Sequence, residues 1–443
     1  MSPLLGVPVL ELTAKGIATA IARAVRDQSL AEGALLPPIR SVASELGVSP
    51  TTVAAAWQLL ARSGVIVSSG RRGTIIAPRS TQSSRYRRAV DPASNVQLDL
   101  STGVPDPRLL PDLSSAVRAL TEAVAPGSYL DPPVLADLDR LIRTTWPFDV
   151  PGLTVVDGAM DALDLTARVL FGFGDRVIVE TPYFPPMLDL LESHRVDIVA
   201  VGLDEDGIDL HGVQDALAVP TRAVIVQPRA QNPTGVSMTT RRAHQLSKLL
   251  APTDTIIIED ESWAAVARAE PVSLGVWLPQ QTVHIRSFSK SHGPDLRIAA
   301  MSGPEQLMRE ISALRQNGQG WTSRILQRIL LELLTDPVAI TAVEHARTVY
   351  AQRRTNVVNA LAAEHISVTG TDGFNIWIPV ADETSAILCL ANHGIGAAPG
   401  APFQVHTSLD PHIRITVSSL DRGYAHVAAA IAEAARGSQR PVV

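Results

Sequence analysis

The stretch HIRSFSKSHGPDLRIAA, residues 284–300, contains the lysine on which the interpretation of the whole chain depends. The chain has only three lysines, which are Lys15, Lys248 and Lys290. Lys290 follows a β-prone run, and hydroxyl and guanidinium groups lie near it in sequence at Ser287, Ser289 and Arg297. A lysine amine can form a Schiff base with an aldehyde, and hydroxyl and guanidinium groups bind phosphate well. The stretch is therefore suited to anchoring an aldehyde that carries a phosphate.

The same residues allow a simpler interpretation. Lys290 could be a surface lysine beside a turn, as Lys248 is expected to be in the helical stretch RRAHQLSKLL. Upstream, LTVVDGAMDALDLTARVL has the pattern of a strand, a glycine turn and a helix. The backbone N–H groups of Gly158, Ala159 and Met160 could take up a phosphate dianion at that helix N-terminus. One glycine at a helix start is weak support for a phosphate site. The order of several motifs along the chain therefore has to decide between the two interpretations of Lys290.

Helical stretches alternate with short β-rich runs from about Leu98 onward. The clearest runs are RVIVE (176–180), AVIVQ (223–227), TIIIED (255–260) and TVHIRS (282–287). Buried apolar strands between helices predict an α/β fold with a mostly parallel sheet. From about residue 330, a long helix is followed by the strand-like runs HISVTG, FNIWIPV and IRITV. This last part is expected to form a smaller α+β C-terminal subdomain.

The first 77 residues have a different pattern. A first helix is predicted over 13–28, with Thr13 as its N-cap, and a second over about Pro38–Leu46, which Gly47 ends. A third helix is predicted from Ser49 to about Arg62, followed by a hairpin within VIVSSGRRGTIIA (65–77). Helix, tight turn and helix followed by a hairpin is the layout of a winged helix-turn-helix. The sequence therefore predicts a separate N-terminal domain of this kind.

Charge is distributed unevenly along the chain. Residues 1–90 contain eleven basic and four acidic residues, although the whole chain has a formal net charge of −6. A basic head on an acidic body suggests that the head alone binds a polyanion. Residues 78–97 (PRSTQSSRYRRAVDPASNVQ) are polar, contain two prolines and lack periodicity. They are expected to form a linker between a head over 1–77 and a body over 98–443.

Composition excludes several other classes of protein. Hydrophobic residues make up 46% and charged residues 19% of the 443 residues, enough to bury more than one core. No apolar run reaches the roughly 18 residues needed to span a bilayer, and the start lacks a signal-peptide pattern, so a cytoplasmic protein is expected. The single cysteine, Cys389, excludes an internal disulfide framework and a cysteine-based metal site.

The string LAEGALLPPIRSVASELGVSPTTVAAAWQLLARSGVI resembles the GntR-type winged helix over about residues 13–77. The resemblance implies a double-stranded DNA operator as partner, with the helix from Ser49 in the major groove. The residues implied in DNA binding are Arg40, Ser49, Thr51, Thr52, Arg71 and Arg72, of which the last two lie in the wing. Pro50 stands where many relatives carry an arginine, so one expected contact is missing. A helical bundle that contacts protein is the alternative interpretation.

Residues 284–300 resemble the S-F-S-K-x-x-x-P-x-x-R signature of fold-type I proteins, whose cofactor is pyridoxal 5'-phosphate (PLP). The resemblance implies a Schiff base at Lys290, with Asp260 as the second catalytic residue. It implies a phosphate site made of Gly158, Ala159, Met160, Ser287, Ser289 and Arg297. It further implies that Phe184, or as second choice Tyr183, stacks on the ring. Asn232 is expected at the phenolic oxygen and Asp260 at the pyridine nitrogen. Arg414 is expected to bind the substrate carboxylate, and Tyr129 to reach the phosphate of the partner subunit. Core packing is an open alternative for the two aromatic residues.

The sequence departs from the fold-type I pattern at two places. Ser262 and Trp263 stand where relatives often carry a tyrosine that binds the cofactor oxygen, which predicts weak transaminase turnover. Pro132 and Pro133 follow the loop of Tyr129, where the family has a glycine. Glu261, next to Asp260, is expected to face away from the cofactor because side chains alternate along a strand.

A GntR-type winged helix, a linker and an aminotransferase-like body in this order resemble the MocR subfamily of transcription regulators. The resemblance implies a homodimer in which PLP or an amino-group effector is sensed through an aldimine at Lys290. Displacement of Lys290 by the effector would change the spacing of the heads. Two alternatives stay open. One is a PLP-dependent aminotransferase with an appended DNA-binding head, and the other is a DNA-binding protein whose body is a scaffold without cofactor.

Overall fold

The computed structural model of the chain describes residues 7–9, 11–26, 29–31, 33–62, 65–68, 73–77, 84–90, 96–123, 128–150, 152–406 and 410–436. Arg71 and Arg72, the wing residues predicted to contact DNA, lie outside the described residues. Within the described ranges, no helix is both long and apolar enough to cross a membrane.

The head is a winged helix-turn-helix, as predicted. It contains α1 (Ala14–Arg26), α2 (Ile39–Leu46), α3 (Pro50–Arg62), β1 (Ile66–Ser68) and β2 (Thr74–Ile76). The two strands pair antiparallel, with Ile66 opposite Ile76. Ile17, Ile21, Val53, Leu60 and Ile76 are fully buried in one cluster. The head therefore has a hydrophobic core of its own.

Three helix ends in the head lie at the residues predicted for them. Thr13 Oγ1 accepts a hydrogen bond from Gly16 N at 3.0 Å, and Ser49 Oγ accepts one from Thr52 N at 3.1 Å. Gly47 ends α2 with a φ of 66°, a left-handed conformation that glycine adopts without a steric penalty. The ends of these helices are thus determined by local sequence.

The predicted linker contains a helix, α4 (Arg85–Val90). The lack of periodicity in 78–97 gave no sign of this helix. A six-residue helix is not stable alone in water, so tertiary contacts must hold it. Ala89 of α4 is buried in a cluster with Trp377 and Phe403 of the body. No periodicity in the linker sequence reveals these distant partners.

The body alternates strands and helices over most of its length. In chain order it contains β3 (Leu98–Asp99), α5 (Ser114–Ala123), α6 (Ala136–Thr144), β4 (Gly152–Val156), α7 (Ala159–Leu170), β5 (Arg176–Glu180), α8 (Pro185–Ser193), β6 (Asp197–Val201), β7 (Leu203–Asp204), β8 (Gly207–Ile208), α9 (Leu210–Ala216), β9 (Ala223–Val226), α10 (Thr240–Leu250), β10 (Ile256–Glu261), β11 (Thr282–Ser287), α11 (Ser289–His292) and β12 (Ala299–Gly303). There follow α12 (Glu305–Gln316), α13 (Arg324–Thr335), α14 (Pro337–Ala363), β13 (Asn375–Pro379), α15 (Glu383–Asn392), β14 (Ile395–Gly396), β15 (Ala398–Pro399), β16 (His412–Thr416) and α16 (Tyr424–Arg436).

A seven-stranded sheet forms the centre of the body, in the order β4-β12-β11-β10-β9-β5-β6. Strands β6, β5, β9, β10 and β11 are parallel, and β12 is antiparallel to both of its neighbours. Apolar side chains on the two faces belong to separate buried clusters. The α/β fold with a mostly parallel sheet is therefore confirmed, and the four apolar runs singled out in the sequence are four of its parallel strands.

A smaller subdomain follows at the C-terminal end, as predicted. Its sheet has the order β13-β16-β15 and is antiparallel, and α14, α15 and α16 accompany it. The run HISVTG is an irregular segment instead of the expected strand. Its last residue, Gly370, has a left-handed φ of 73°, and the next two backbone N–H groups donate to the Gly235 carbonyl. Contacts with a distant turn outweigh the β propensity of this segment.

Candidate functional site

The ends of β4, β10 and β11 bring predicted site residues to one edge of the large sheet. Ser287, the last residue of β11, pairs with Ala299 of β12, which pairs with Val156 at the end of β4. Asp260 of β10 pairs with Ile285 of β11. The glycine turn after β4 and the lysine turn after β11 therefore begin at the same level of the sheet, separated by one strand.

A cavity of about 130 Å³ lies at this edge. We call it the Lys290 cavity, and its lining residues are Ala89, Gly103, Val104, Phe184, Pro185, Gln227, Asn232, Ser262, Trp263, Lys290, Phe403 and Arg414. Four predicted site residues, from four separate parts of the sequence, thus face one space: Phe184, Asn232, Lys290 and Arg414. The linker helix α4 contributes Ala89 to the same wall.

Lys290 enters the cavity from the short helix α11. Its Nζ donates a hydrogen bond to the Gly103 carbonyl and lies 5.5 Å from the centre of the Trp263 ring. Burial, and next the charge of Arg414, lower the pKa of the Lys290 amine to about 8, while Asp260 opposes the shift. At pH 7 about one tenth of such amines are unprotonated. Lys290 is therefore a much better nucleophile than an ordinary lysine.

Asp260 is buried at the end of β10. Gln227 Nε2 donates to its Oδ2 at 2.7 Å, and Ser262 Oγ donates to its Oδ1 at 2.5 Å. Burial raises the pKa of the Asp260 carboxyl above its usual value, and the two hydrogen bonds oppose this shift. Burial also raises the pKa of the nearby Glu180 to about 8. Neither acid forms an ion pair with a side chain in the described part of the chain, so a cationic group placed beside Asp260 would be stabilised there.

Ser262 and Trp263 do not supply a phenol to the cavity. The Ser262 hydroxyl is used by Asp260, and Trp263 packs edge to face on Phe374 with ring centres 4.4 Å apart. Glu261 faces the other side of the sheet, where Arg229 Nε and Nη2 donate to it at 3.0 and 2.5 Å. The expectation from strand alternation is thus confirmed for Glu261.

Asn232 and Arg414 are joined by hydrogen bonds. Arg414 Nη1 and Asn375 Nδ2 both donate to Asn232 Oδ1, at 3.3 and 3.1 Å. Arg414 Nη2 donates to the Ser101 carbonyl, and the guanidinium carbon lies 4.9 Å from the centre of the Phe403 ring. These contacts hold a positive charge in a fixed orientation at the cavity wall.

Gly158 and Arg297 meet at the N-terminus of α7. Arg297 Nη2 donates to the Asp157 carbonyl at 3.1 Å, and a Cβ added to Gly158 would lie 3.0 Å from the same Nη2. Ala159 and Met160 form the first turn of α7, where backbone N–H groups lack partners within the helix. A guanidinium beside a helix N-terminus is a suitable place for an anion.

Two further predicted residues stand beside the lysine turn. Ser289 N donates to Ser287 Oγ at 3.3 Å. Ser287 lines a neighbouring cavity instead of the Lys290 cavity. The structure therefore brings Ser287 next to the turn, but does not place its hydroxyl in the same space as the lysine amine.

Phe184, and not Tyr183, faces the Lys290 cavity. Tyr183 is fully buried in the core on the side of α7 and α8, and its hydroxyl has no hydrogen-bond partner among the described residues. Burial, reinforced by Asp260 and Glu180, holds the pKa of the Tyr183 phenol well above its usual value. The geometry favours Phe184 as the aromatic residue next to a bound ring.

Tyr129 lies outside the Lys290 cavity of its own chain. It is 89% exposed, and its ring centre lies 5.9 Å from that of Trp321. The loop that carries it is held by Arg324, whose Nη2 donates to the carbonyls of Asp131 and Pro132 at 3.0 Å each. An aromatic side chain is thus presented to the outside by a well-bonded loop.

The predicted DNA-binding residues of the head that the structure describes lie at its surface. Arg40, Ser49 and Thr51 are exposed, and Thr52 is half-buried. Ser49 Oγ is within 2.6 Å of Thr51 Oγ1 and 2.8 Å of Thr52 Oγ1. The hydroxyls therefore cluster at the N-terminus of α3.

Sequence reasoning missed several residues of the Lys290 cavity. Gln227 ends the run AVIVQ one strand away from Asp260, so its position at a strand end was a usable signal. Gly103 and Phe403 carried no such signal. Gly103 lies in an irregular segment and Phe403 ends a three-residue 3-10 helix, and only the fold brings them to the cavity.

The fold and the cavity define a class of protein. Residues 95–431 match a family described as aminotransferase class I and II, and residues 13–76 match the bacterial regulatory proteins of the gntR family. Among solved structures, LysN, the α-aminoadipate aminotransferase of Thermus thermophilus, superposes with a TM-score of 0.71 at 22% identity, covering 80% of this chain and 94% of that one. The class is thus a GntR-type DNA-binding head fused to a fold-type I aminotransferase body.

Relatives that match over most of the chain define the family more closely. The vitamin B6 salvage pathway transcriptional repressor PtsJ of Salmonella typhimurium is 35% identical over 401 residues, which cover 87% of this chain and 90% of that protein. The probable rhizopine catabolism regulatory protein MocR of Rhizobium meliloti is 25% identical over 75% of this chain and 73% of its own length. The chain belongs to the MocR-type transcription regulators.

PLP is the cofactor of this class, and the residues of the cavity fit it. Burial lowers the pKa of Lys290, so its amine is suited to bind the aldehyde of PLP. The buried acid Asp260 is suited to pair with a protonated ring nitrogen. The GntR-type head implies DNA as the partner of the protein.

Proposed function

We propose that this regulator changes its affinity for operator DNA when a small amino-group ligand is captured in the Lys290 cavity. The observation that carries the proposal is the position of α4. This helix lies in the chain between the head and the body, and it lines the cavity through Ala89. A ligand in the cavity therefore meets the segment that leads to the head.

The proposed roles of the cavity residues follow from their chemistry. When bound, PLP supplies an aldehyde that captures amines and a ring that withdraws electrons. Lys290 would hold the cofactor aldehyde, and Asp260 would keep the ring nitrogen protonated. Asn232 would donate to the phenolic oxygen, and Phe184 would stack on the ring. The phosphate is assigned to the backbone of Gly158, Ala159 and Met160 with Arg297, Ser287 and Ser289. Arg414 is assigned to the carboxylate of an amino-acid effector.

The contacts of α4 support a mechanical link. Arg85 Nη1 donates to the Gln404 carbonyl at 2.8 Å, and Arg85 also forms an ion pair with Glu192. Ala89 packs against Phe403, which in turn lies under the guanidinium of Arg414. A cavity of about 130 Å³ is smaller than the roughly 300 Å³ of ordinary ligand sites. Cofactor and effector together would therefore have to displace α4 or Phe403.

The rate at which the cofactor-free protein captures PLP is expected to rise with pH and to level off above about 8. Only the unprotonated amine of Lys290 attacks a carbonyl, and its pKa is lowered to about 8. Absorbance-detected stopped-flow mixing across this pH range measures the rate. A rate that continues to rise up to the ordinary lysine pKa of about 10.4 would contradict the lowered pKa.

Dimer formation and DNA recognition complete the proposal. The exposed Tyr129, with Leu130 beside it at 94% exposure, is assigned to an interface with a second copy, in which Tyr129 reaches the cofactor phosphate of the partner. Arg40, Ser49, Thr51, Thr52, Arg71 and Arg72 are assigned to DNA contacts, within a head over 1–77 that a linker over 78–97 joins to the body over 98–443.

A second candidate function is an aminotransferase with an appended DNA-binding head. The retention of Lys290, Asp260 and Arg414 in one site favours it. The use of the Ser262 hydroxyl by Asp260, and the absence of a phenol at positions 262 and 263, favour slow turnover instead. Conversion of bound PLP to its amine form by a panel of amino acids, followed by absorbance, distinguishes the two.

The experiment that tests the proposed function measures operator affinity with and without effector. DNA that copurifies with the protein provides the operator, and fluorescence anisotropy gives its affinity for the PLP-loaded protein. We expect an amino acid that alters the cofactor absorbance to change operator affinity by about fivefold or more. A change in absorbance with no change in operator affinity would disprove the switch.

Arg85→Ala is expected to weaken the effect of the effector on operator affinity at least twofold to threefold while PLP binding is retained. The substitution removes the ion pair and the hydrogen bond that hold α4 on the body, so α4 no longer depends on the state of the cavity. Arg309→Ala, which removes an exposed ion pair on α12, is the matched control. An unchanged effector response in Arg85→Ala would rule out α4 as the link.

A further inference from the structure

A second and larger cavity lies behind the lysine turn. Its volume is about 400 Å³, within the usual range for small-molecule sites. Ser287, Phe288, Ser291 and His292 line it, whereas Lys290 lines the first cavity. The short helix α11 therefore separates the two spaces. Of the residues that line this second space, the proposed function uses Ser287 alone, at the cofactor phosphate. We call this space the arginine cavity.

Arg286 places a positive charge in the arginine cavity. Its Nη1 and Nη2 donate to Thr145 Oγ1 at 2.8 Å and to the Thr145 carbonyl at 2.6 Å. Its guanidinium carbon lies 4.6 Å from the centre of the Trp146 ring. No carboxylate in the described part of the chain lies within 4.0 Å of it. Arg286 is half-buried. Burial lowers the pKa of its guanidinium to about 10, and the nearby Glu261 opposes this shift without offsetting it.

The other charged groups of the lining leave the cavity positive. Arg229 and Glu261 neutralise each other in a buried ion pair. Arg268, Arg347 and Glu270 are exposed residues of the lining. With Arg286, three arginines therefore stand against one glutamate outside the Arg229–Glu261 pair.

Two histidines add polar groups to the lining. Burial lowers the pKa of His292 to about 4, so it is neutral at pH 7. His284 is buried, its Nδ1 is bonded to Glu259 at 2.7 Å, and its Nε2 has no hydrogen-bond partner among the described residues. An orphaned polar atom in the lining of a cavity is a sign of a missing ligand group.

The remaining lining is largely apolar. It includes Leu141, Ile142, Ala267, Val272, Phe288 and Leu334. A ligand that suits this space has an anionic group for Arg286 and an apolar body for the rest of the wall. Inorganic phosphate lacks the apolar part, and a neutral hydrocarbon lacks the charge.

We propose that the arginine cavity is a second binding site, which takes a small organic anion with an apolar body. The carboxylate, or another anionic group of similar size, pairs with Arg286. Because Ser291 and His292 belong to the same short helix as Lys290, an occupant of this cavity acts on the position of the lysine. The site is therefore placed to modulate how the protein holds its cofactor.

The probe for the test is 4-fluorobenzoate, observed by fluorine NMR on the full-length protein, with the neutral 4-fluorobenzamide as comparison. We expect the acid to bind and the amide to bind at least tenfold more weakly. Arg286→Gln is expected to weaken binding of the acid about tenfold or more. Ala265→Trp, a change at an exposed residue of the lining, fills the cavity without removing a buried charge and is expected to have a similar effect. Arg309→Gln is the surface control.

The position of the probe is tested with Arg414→Gln. If the acid binds in the Lys290 cavity instead, Arg414→Gln weakens binding while Arg286→Gln and Ala265→Trp do not, and the proposal is wrong. Equal affinities for wild type, Arg286→Gln and Ala265→Trp also overturn it. Coupling is measured by comparing the affinity of the PLP-free and PLP-loaded proteins, for which we expect a difference of about fivefold. Equal affinities in the two forms would disprove the coupling to Lys290.

Discussion

Lys290→Ala is expected to abolish the stable retention of PLP, with a loss of affinity of at least about a hundredfold. Only Lys290, of the three lysines, lines the cavity at the edge of the large sheet. Burial lowers the pKa of its amine to about 8, which makes it a nucleophile near neutral pH. Without it the cofactor has only noncovalent contacts with Asp260, Asn232 and the phosphate site. Gel filtration followed by visible absorbance measures the PLP that stays bound.

The matched control is Lys248→Ala. Lys248 lies on α10 and is exposed, so its removal changes the lysine count equally without touching the cavity. We expect Lys248→Ala to retain PLP like the wild type. If Lys290→Ala retained the cofactor, or if both variants lost it, the assignment of Lys290 as the anchor would be wrong. Operator binding by Lys290→Ala then shows whether the head functions without the cofactor.

Gly158→Ala is expected to weaken PLP binding by about a hundredfold and to cost about 1–3 kcal/mol of stability. Gly158 has a φ of 100°, a conformation that residues with a Cβ adopt only under strain. The added Cβ would also lie 3.0 Å from Arg297 Nη2. Arg297 would therefore move away from the N-terminus of α7, where the phosphate is expected. Urea unfolding and a PLP titration measure the two effects.

Gly423→Ala separates backbone strain from damage to the site. Gly423 has a similar positive φ of 74°, but nothing lies within 4 Å of the position of its added Cβ. We expect it to lose stability through strain while its PLP affinity stays within about twofold of wild type. If Gly423→Ala loses PLP to the same degree as Gly158→Ala, the effect is global, and the phosphate site is not where we place it.

Local sequence signals predicted many elements correctly because the chemistry that forms them is local. The caps Thr13 and Ser49, and the left-handed Gly47, act within three residues of their own position. The parallel strands have apolar residues on both faces, so their sequences are recognisable without knowledge of neighbours. The order of the motifs along the chain also indicated the aminotransferase-like body.

Other features depended on partners far away in sequence. The helix α4 forms within a polar segment because Ala89 packs against Trp377 and Phe403. HISVTG has good β-forming residues but remains irregular, since the backbone beyond it bonds to Gly235. The choice between Phe184 and Tyr183 could not be made from two adjacent aromatic residues, because the turn of the backbone decides which one faces the cavity.

The stretch around Lys290 shows which features follow from local sequence and which depend on tertiary structure. By itself the sequence predicted the lysine anchor, and it determined the class of cofactor and the winged head, because these depend on residue type and on short spacings. Only the tertiary structure decided that Lys290 lies against Gly103 and that Ser287 faces a different cavity from the lysine. It also decided that Arg286 lines that second space with no described carboxylate within 4.0 Å of it. The physical reason is that burial and long-range contacts, which set charge and accessibility, arise only when distant segments pack together.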